Sequence, residues 1–435
     1  MPLNNREMDE LFKLGPGTPS GEVFRRYWLP VETSANLDGG RGPVRPSAKN
    51  PVRVKVLGEN LVLFRDATGK PGLLEEHCSH RGTSLVYGRV EDEGLRCLYH
   101  GWLYDRDGNC LDMPAEPPGR RFRNSVKHPS YPCVEVGGLI FAYLGPPELQ
   151  PPFPRYPALF RQDGMRVAGK GNRIQKSNAL LQTLDNVLDV WHREVAHGWF
   201  KGGEPVHALH HGYNGDPATP IRFETTPWGA CYVTLQNTRT PGVYEYHETH
   251  ALFPCQRART DTINWAVPMD DHTTRWFGVS FVPFGPDGQI SDAALRRLHA
   301  DTPADAGGPF YEGWFEDVGY WWNTGHPLRQ GPIWEDEAIM STQGREERGG
   351  LPDFEKMTFG SSDRGVLLMH KLWDEQIARV QDGIDPVGIV RGAESEQIIP
   401  VPGQVAFVDR EEGMRLFNTP LEERIATLAE KVQAR

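Results

Sequence analysis

From residue 52 the chain alternates apolar and polar positions. Val52-Arg53-Val54-Lys55-Val56-Leu57 is followed by Gly58-Glu59-Asn60 and then by Leu61-Val62-Leu63-Phe64. A period of two puts alternate side chains on opposite faces, so this stretch predicts a hairpin turning at 58–60. Short strands with glycine-rich turns continue to Leu144, ending in the apolar run 138–144, which is short enough for a buried strand. Ahead of them, residues 10–30 predict a short helix leading into Arg25-Arg26-Tyr27-Trp28-Leu29-Pro30. Behind them, Pro146, Pro147, Pro151, Pro152, Pro154 and Pro157 mark 145–157 as a linker. The pattern then becomes mixed, with a long helix predicted over 177–198, strands at 230–235 and 276–282, and a helix at 366–381. The last helix is predicted to start with Thr419 as cap, Pro420 in the first position and Glu422 completing a capping box. Its packing stripe is Leu421, Ile425, Leu428 and Val432. There is no internal repeat.

Composition narrows the class. A chain of 435 residues is long for one core, so two domains are expected. Mean hydropathy is -0.53, and no run approaches the ~18 apolar residues that would span a bilayer, so no membrane partner is expected. The amino terminus, Met1-Pro2-Leu3-Asn4-Asn5, has no basic stretch followed by an apolar one, which predicts a cytoplasmic protein. A net charge of -11 argues against nucleic acid. In that compartment Cys78, Cys97, Cys110, Cys133, Cys231 and Cys255 are expected as metal ligands or buried thiols, not disulfides.

Two cysteine–histidine pairs carry the first chemistry: Cys78-Ser79-His80, then Cys97-Leu98-Tyr99-His100, with sixteen residues between them. Structural zinc is one reading, but zinc pairs usually leave two or more residues between ligands, and Cys78 and His80 leave one. A Rieske centre holds one iron by two thiolates and the other by two imidazoles. Alternating Cys and His within each pair lets each loop reach both irons, and neutral imidazoles raise the reduction potential. Arg81-Gly82 and Gly101-Trp102 supply the small residues that let two loops close over a cluster. Cys110 and Cys133 fall outside the motif and are read as buried structural thiols.

The second constellation runs from Asp185 through Asp189 and His192 to His197. Asp189 and His192, three apart, share a helix face. His192 and His197, five apart, diverge by about 140° on a regular helix, so a π-bulge or break is predicted between them. Two histidines with one carboxylate and open positions suit a non-haem iron oxygenase. His207, His210 and His211 are rival ligands.

Cys-Ser-His-Arg-Gly followed by Cys-Leu-Tyr-His-Gly-Trp resembles the Rieske domain of aromatic-ring-hydroxylating oxygenases, and 185–197 resembles their iron-binding helix. Segments 344–348 and 359–366 resemble the phthalate-dioxygenase-like branch. The resemblance implies an α+β fold, in which an all-β Rieske domain precedes a helix-grip-like catalytic domain with an antiparallel sheet. The expected boundaries are 1–45 for an amino-terminal helical segment packing with the catalytic domain, 46–150 for the Rieske domain and 151–435 for the catalytic domain.

It further implies Cys78, His80, Cys97 and His100 as ligands of a [2Fe-2S] cluster, and His192, His197 and Asp336 as ligands of a mononuclear Fe(II). Glu335 and Glu337 are the alternatives to Asp336. Asp189 is implied to bridge the two centres between subunits, which calls for a homotrimer or hexamer, and Asp185 to support or cap the helix. No nucleotide-binding glycine pattern follows a strand, so NAD(P)H is expected to be oxidised by a separate reductase, with or without a ferredoxin. An electron carrier without catalysis is the alternative class, and residues 185–197 argue against it.

The implied substrates are O2 and an aromatic acid, with O-demethylation of a methoxylated aromatic acid (a lignin-derived biaryl among them) ahead of ring cis-dihydroxylation or hydroxylation. Phthalate is disfavoured. Val190 and Trp191 are bulky, and 231–238 lacks arginines to clamp a small dicarboxylate. Arg222, Arg239 and Lys371 are the candidate carboxylate partners, each also readable as a surface charge.

Overall fold

The computed structural model describes residues 5–37, 50–117, 121–168, 173–196, 200–201, 204–205, 220–238, 240–285, 287–290, 332–348 and 350–433. The chain forms two compact units, Leu14–Pro151 and a larger one made of Met1–Lys13 with Pro152–Arg435. The segment expected as one piece over 1–45 is therefore divided. Helix Asn5–Leu11 belongs to the larger unit, where Phe12 stacks near Phe354 at 5.2 Å and its carbonyl accepts from Asn178. Helix Pro19–Phe24, capped by Thr18, belongs to the smaller unit. The physical reason is strand Trp28–Thr33, which pairs antiparallel with Leu139–Tyr143, while Trp28 Nε1 donates to the Pro151 carbonyl at 2.9 Å.

The smaller unit is built from antiparallel strands. Trp28–Thr33, Leu139–Tyr143 and Cys133–Val136 form one sheet. Val52–Val56, Glu59–Arg65, Pro71–Glu75 and Ser130–Tyr131 form a second. Arg89–Glu91, Gly94–Arg96, Leu103–Tyr104 and Cys110–Asp112 form a third. The predicted hairpin forms, but its turn is Leu57-Gly58, one position earlier than expected. Both residues have positive φ (49° and 77°), the two-residue turn that matches strand twist.

The second and third sheets each end in a loop carrying one cysteine–histidine pair, and an ion pair stands beside each loop. Arg53 and Ser84 hydrogen-bond buried Glu76 below the first. Arg96 grips Glu91 with two nitrogens, and also reaches Asp112 and the Gly101 carbonyl, below the second.

The larger unit centres on a nine-stranded antiparallel sheet. Its main path is Gly164–Ala168, Thr273–Pro283, Thr262–Asp270, Gln256–Arg259, Tyr244–Leu252, Gly229–Asn237 and Ile221–Thr226. Val405–Val408 pairs with the first half of Tyr244–Leu252, alongside which the second half takes Gln256–Arg259. Helix Arg364–Gln381 packs on the segment 181–186, joined by His370 Nε2 to Asp185 Oδ1 at 2.8 Å.

The long helix predicted over 177–198 is broken. A π-helical stretch, Leu181–Asn186, is followed by a bend and then by α-helix Val190–Ala196. This π-helical irregularity lies upstream of His192, whereas the one expected between His192 and His197 falls partly outside the described residues. Residues 192–196 are regular helix, and His197 lies outside the described residues. At the other end, the Thr419 hydroxyl donates to the Arg415 carbonyl and so closes helix Arg410–Asn418 instead of opening Leu421–Gln433. Among the described residues no helix is long and apolar enough to cross a membrane.

Hydrogen bonds from Arg96 and Arg89 hold the Glu91 carboxyl down at about 2. Because the folded value lies below the unfolded value of ~4.3, this stabilisation is present above about pH 4.3 and lost as pH falls toward 2. We expect Glu91→Gln to lower the melting temperature at pH 7 and to flatten its fall on acidification, as measured by circular dichroism from pH 7 to 2.5.

Candidate metal centres

The two cysteine–histidine loops fold alike. Cys78 N donates to Thr83 O at 3.0 Å and Gly82 N to Cys78 O at 2.9 Å. Cys97 N likewise donates to Trp102 O at 2.8 Å and Gly101 N to Cys97 O at 3.1 Å. Closing each loop this way needs a left-handed residue, supplied by Gly82 (φ 71°) and Gly101 (φ 76°). Both thiols are buried and in no disulfide, while His80 is exposed and His100 half-buried.

The two imidazole centroids lie 4.5 Å apart, and His80 stacks on Trp102 at 4.5 Å and 8°. Burial pushes the Cys97 thiol up, against N–H groups of Tyr99 and His100 that aim at its sulfur. Those N–H groups are the partners a thiolate requires. With two sulfurs inside and two imidazoles toward solvent, the donor set fits a cluster that has one sulfur-ligated and one nitrogen-ligated iron.

In the larger unit Asp189 caps helix Val190–Ala196. Its Oδ1 accepts from Trp191 N at 3.0 Å and His192 N at 3.2 Å, and its Oδ2 stands 3.6 Å from His192 Nδ1. That leaves His192 Nε2 facing Asp336 Oδ1 at 3.5 Å across from helix Pro332–Gln343. Donor atoms with bonds of about 2.0–2.2 Å to one shared ion sit roughly 3.0–3.5 Å apart, so the pair fits a divalent metal. Burial alone would depress His192, but the neighbouring carboxylates of Asp189 and Asp336 outweigh it and lift its pKa to about 9.

Two carboxylates around one imidazole leave negative charge that a cation offsets. Asn186, last residue of the π-helical stretch, places Nδ2 3.2 Å from both His192 Nε2 and Asp336 Oδ1. His197 and the rivals His207, His210 and His211 lie outside the described residues, and the side chains of Glu335 and Glu337 are likewise undescribed.

A cavity of about 330 Å³ opens beside His192 and Asp336. Its floor is a buried polar network. His247 Nε2 lies 3.1 Å from Tyr232 Oη and 3.0 Å from Arg259, and Glu245 is 3.0 Å from His247 and 3.4 Å from Arg193. Arg193, Arg257 and Arg259 line the cavity with three acids, of which Asp189 and Asp336 flank His192 and Glu245 stands by Arg193 and His247. Burial, then the neighbouring Arg257, depresses Arg259 to about 10, and burial of Tyr232 is outweighed by the three guanidiniums, which lower its hydroxyl. Among the described residues the Arg257 side chain makes no hydrogen bond or ion pair. Guanidiniums gathered at the Glu245 end, with apolar Val405 and Phe407 also in the lining, suit an anion with an apolar body.

Of the carboxylate partners named from sequence, the described Arg222 and Lys371 do not line this cavity. Arg222 pairs with Glu224 at 3.0 Å, Lys371 is exposed near Glu375, and Arg239 lies outside the described residues. Arg193 comes from helix Val190–Ala196, and Arg257 and Arg259 come from Gln256–Arg259, two strands away from 231–238. Their signal was the alternation of Glu245, His247 and Thr249, and of Arg257 and Arg259, polar positions at strand spacing. Another group of metal-type side chains, Cys231, Glu248 and His250, has donor atoms within 4.8 Å. Its charge is already matched. Glu248 takes His250 at 2.9 Å, Tyr246 at 3.0 Å and Arg424 at 3.5 Å, so these residues tie the last helix to the sheet.

A family model for the Rieske [2Fe-2S] domain matches residues 28–132. The phenoxybenzoate dioxygenase subunit alpha of Ectopseudomonas oleovorans is 34% identical over 407 residues, 87% of each chain. The 5,5'-dehydrodivanillate O-demethylase oxygenase subunit of a Sphingobium strain is 29% identical over 92% of this chain and 86% of its own. A crystal structure of dicamba monooxygenase bound to dicamba shares the fold, with a TM-score of 0.60 at 17% identity, covering 83% of this chain and 99% of that one. These relatives span both units, which excludes a cluster-only electron carrier. The chain belongs to the Rieske non-haem iron aromatic oxygenases, as an oxygenase subunit that carries a Rieske [2Fe-2S] cluster and a mononuclear iron and takes its electrons from a partner protein.

Proposed function

We propose that the protein O-demethylates a methoxylated aromatic acid, a lignin-derived biaryl among the candidates, with electrons from a separate NAD(P)H-dependent reductase. The observation that carries this reading is the cavity beside His192 and Asp336, where Arg193, Arg257 and Arg259 gather at the Glu245 end, away from the Asp189 and Asp336 carboxylates that flank His192. A substrate carboxylate held by those guanidiniums turns the ring toward His192. The dehydrodivanillate relative, an O-demethylase by name, supports the reaction type. Written in balance, a methoxy group, O2, two electrons and two protons give a phenol, formaldehyde and water. Ring cis-dihydroxylation is the second reading, favoured by the dioxygenase name of the phenoxybenzoate relative.

In this reading Cys78, His80, Cys97 and His100 hold the cluster, and His192, His197 and Asp336 hold the mononuclear iron. When bound, the cluster supplies single electrons and the iron supplies the site of dioxygen reduction. The chain's own residues do the positioning. Asp189 fixes the His192 ring through its Nδ1 edge, as carboxylates behind metal-bound histidines do. Asn186 holds the Asp336 carboxylate toward the same point. Arg193, Arg257, Arg259 and Tyr232 bind and orient the acid. The imidazoles of exposed His80 and half-buried His100, with exposed Leu98 and Tyr99 beside them, support contact with the Asp189 of a neighbouring subunit in a homotrimer or hexamer.

With a reductase, NADH and a panel of methoxylated and unmethoxylated aromatic acids, we expect formaldehyde in a one-to-one ratio to phenol. A dihydrodiol without formaldehyde establishes the second reading instead. Arg257→Met removes a guanidinium without breaking the described network. We expect kcat/KM for a carboxylate substrate to fall roughly 10- to 100-fold, the value of one charged hydrogen bond, with little change for its methyl ester. For the third ligand, Asp336→Asn is expected to lose the mononuclear iron while keeping the visible spectrum of the cluster. Glu335→Gln and Glu337→Gln are expected to keep both, as read by iron analysis of the purified variants.

A further inference from the structure

His128 is buried to 1% exposure in the smaller unit and belongs to neither ligand loop, yet it touches the supports of both. Its backbone N–H donates to the Gly108 carbonyl at 2.8 Å, in the turn between strands Leu103–Tyr104 and Cys110–Asp112. Its Nε2 lies 2.9 Å from the Glu75 carbonyl, at the end of the strand that feeds the first loop. Its Nδ1 lies 2.7 Å from Ser79 Oγ, on the residue between Cys78 and His80. Its ring stacks on Tyr104 at 4.6 Å and 30°. Tyr104, fully buried, places Oη 3.2 Å from Cys78 Sγ.

Donors and acceptors here have one consistent assignment. A carbonyl accepts only, so Nε2 carries the ring proton toward Glu75. Burial depresses the His128 pKa, which keeps the ring neutral, so Nδ1 accepts the Ser79 hydroxyl proton. A thiolate at Cys78 can only accept, so the Tyr104 hydroxyl 3.2 Å away is the donor. A hydrogen bond to a cluster sulfur stabilises the more negative, reduced state and raises the reduction potential.

We propose that His128 is a positioning residue for the cluster's potential, strapping the two loop-bearing sheets together and aiming the Tyr104 hydroxyl at Cys78. The proposal rests on the assignment of Cys78 as a cluster ligand. His128 touches no ligand side chain in any described contact, so its effect passes through Ser79 and Tyr104.

The test is a dye-mediated redox titration of purified protein, followed by cluster absorbance, with electron paramagnetic resonance of the reduced form. Tyr104→Phe removes the donor, and we expect a roughly tenfold lower reduced-to-oxidised ratio at fixed potential, about 59 mV for one electron. His128→Phe keeps ring volume but loses both side-chain bonds, and we expect a shift in the same direction with altered g values. The double variant is expected to fall short of the sum of the two. A full cluster complement with wild-type potential in His128→Phe overturns the proposal. Should that variant lose its cluster, Ser79→Ala decides: a lowered potential supports the proposal and an unchanged one overturns it. An absence of any cluster in the unaltered protein instead refutes the ligand assignment itself.

Discussion

The larger unit's chemistry depends on one carboxylate that meets two demands. Asp189 must cap helix Val190–Ala196 with one oxygen and face the Nδ1 edge of His192 with the other. Capping fixes where the helix starts, and so which way residue 192 projects. The contact with Nδ1 fixes the ring's rotation and turns Nε2 toward Asp336. The π-helical stretch just upstream is part of the same arrangement, since it delivers Asn186 to the gap between His192 and Asp336. A regular helix through 181–196 could not make both contacts, because positions 186 and 192 would lie on different faces.

The smaller unit solves a related problem with backbone and not with side chains. Each ligand loop closes on its own carbonyl through a glycine in the left-handed region, which leaves the cysteine inside and the histidine outside. The loops are anchored from below by ion pairs, Arg53 with Glu76 and Arg96 with Glu91 and Asp112. Their spacing is set by the strands beneath them, and His128 stands where those strands meet. A cluster assembled between such loops meets a framework that is already closed, so little loop ordering remains to be done when it binds.

Much of this could be read from the residues in order. The short Cys–Ser–His spacing and the repeated Gly at its end are local, and local constraints survive in sequence. The hairpin at 52–65 was legible for the same reason, and missed only by one position because Leu57 takes a positive φ that its side chain does not advertise. The cavity was not legible. Arg257 and Arg259 sit on Gln256–Arg259, Tyr232 on Gly229–Asn237 and His247 on Tyr244–Leu252, and only sheet pairing brings these together. Thr419 misled in the other direction, since a hydroxyl before a proline suits the start of one helix and also the end of another.

The central claim is that one chain holds two chemically different iron sites. It is tested most directly by Mössbauer spectroscopy of protein loaded with iron-57. Two cluster irons in unequal environments are expected, one sulfur-ligated and one nitrogen-ligated, together with one high-spin ferrous iron, in a 2:1 ratio of cluster to mononuclear iron. A chain that holds only zinc, or iron in a single environment, would contradict it.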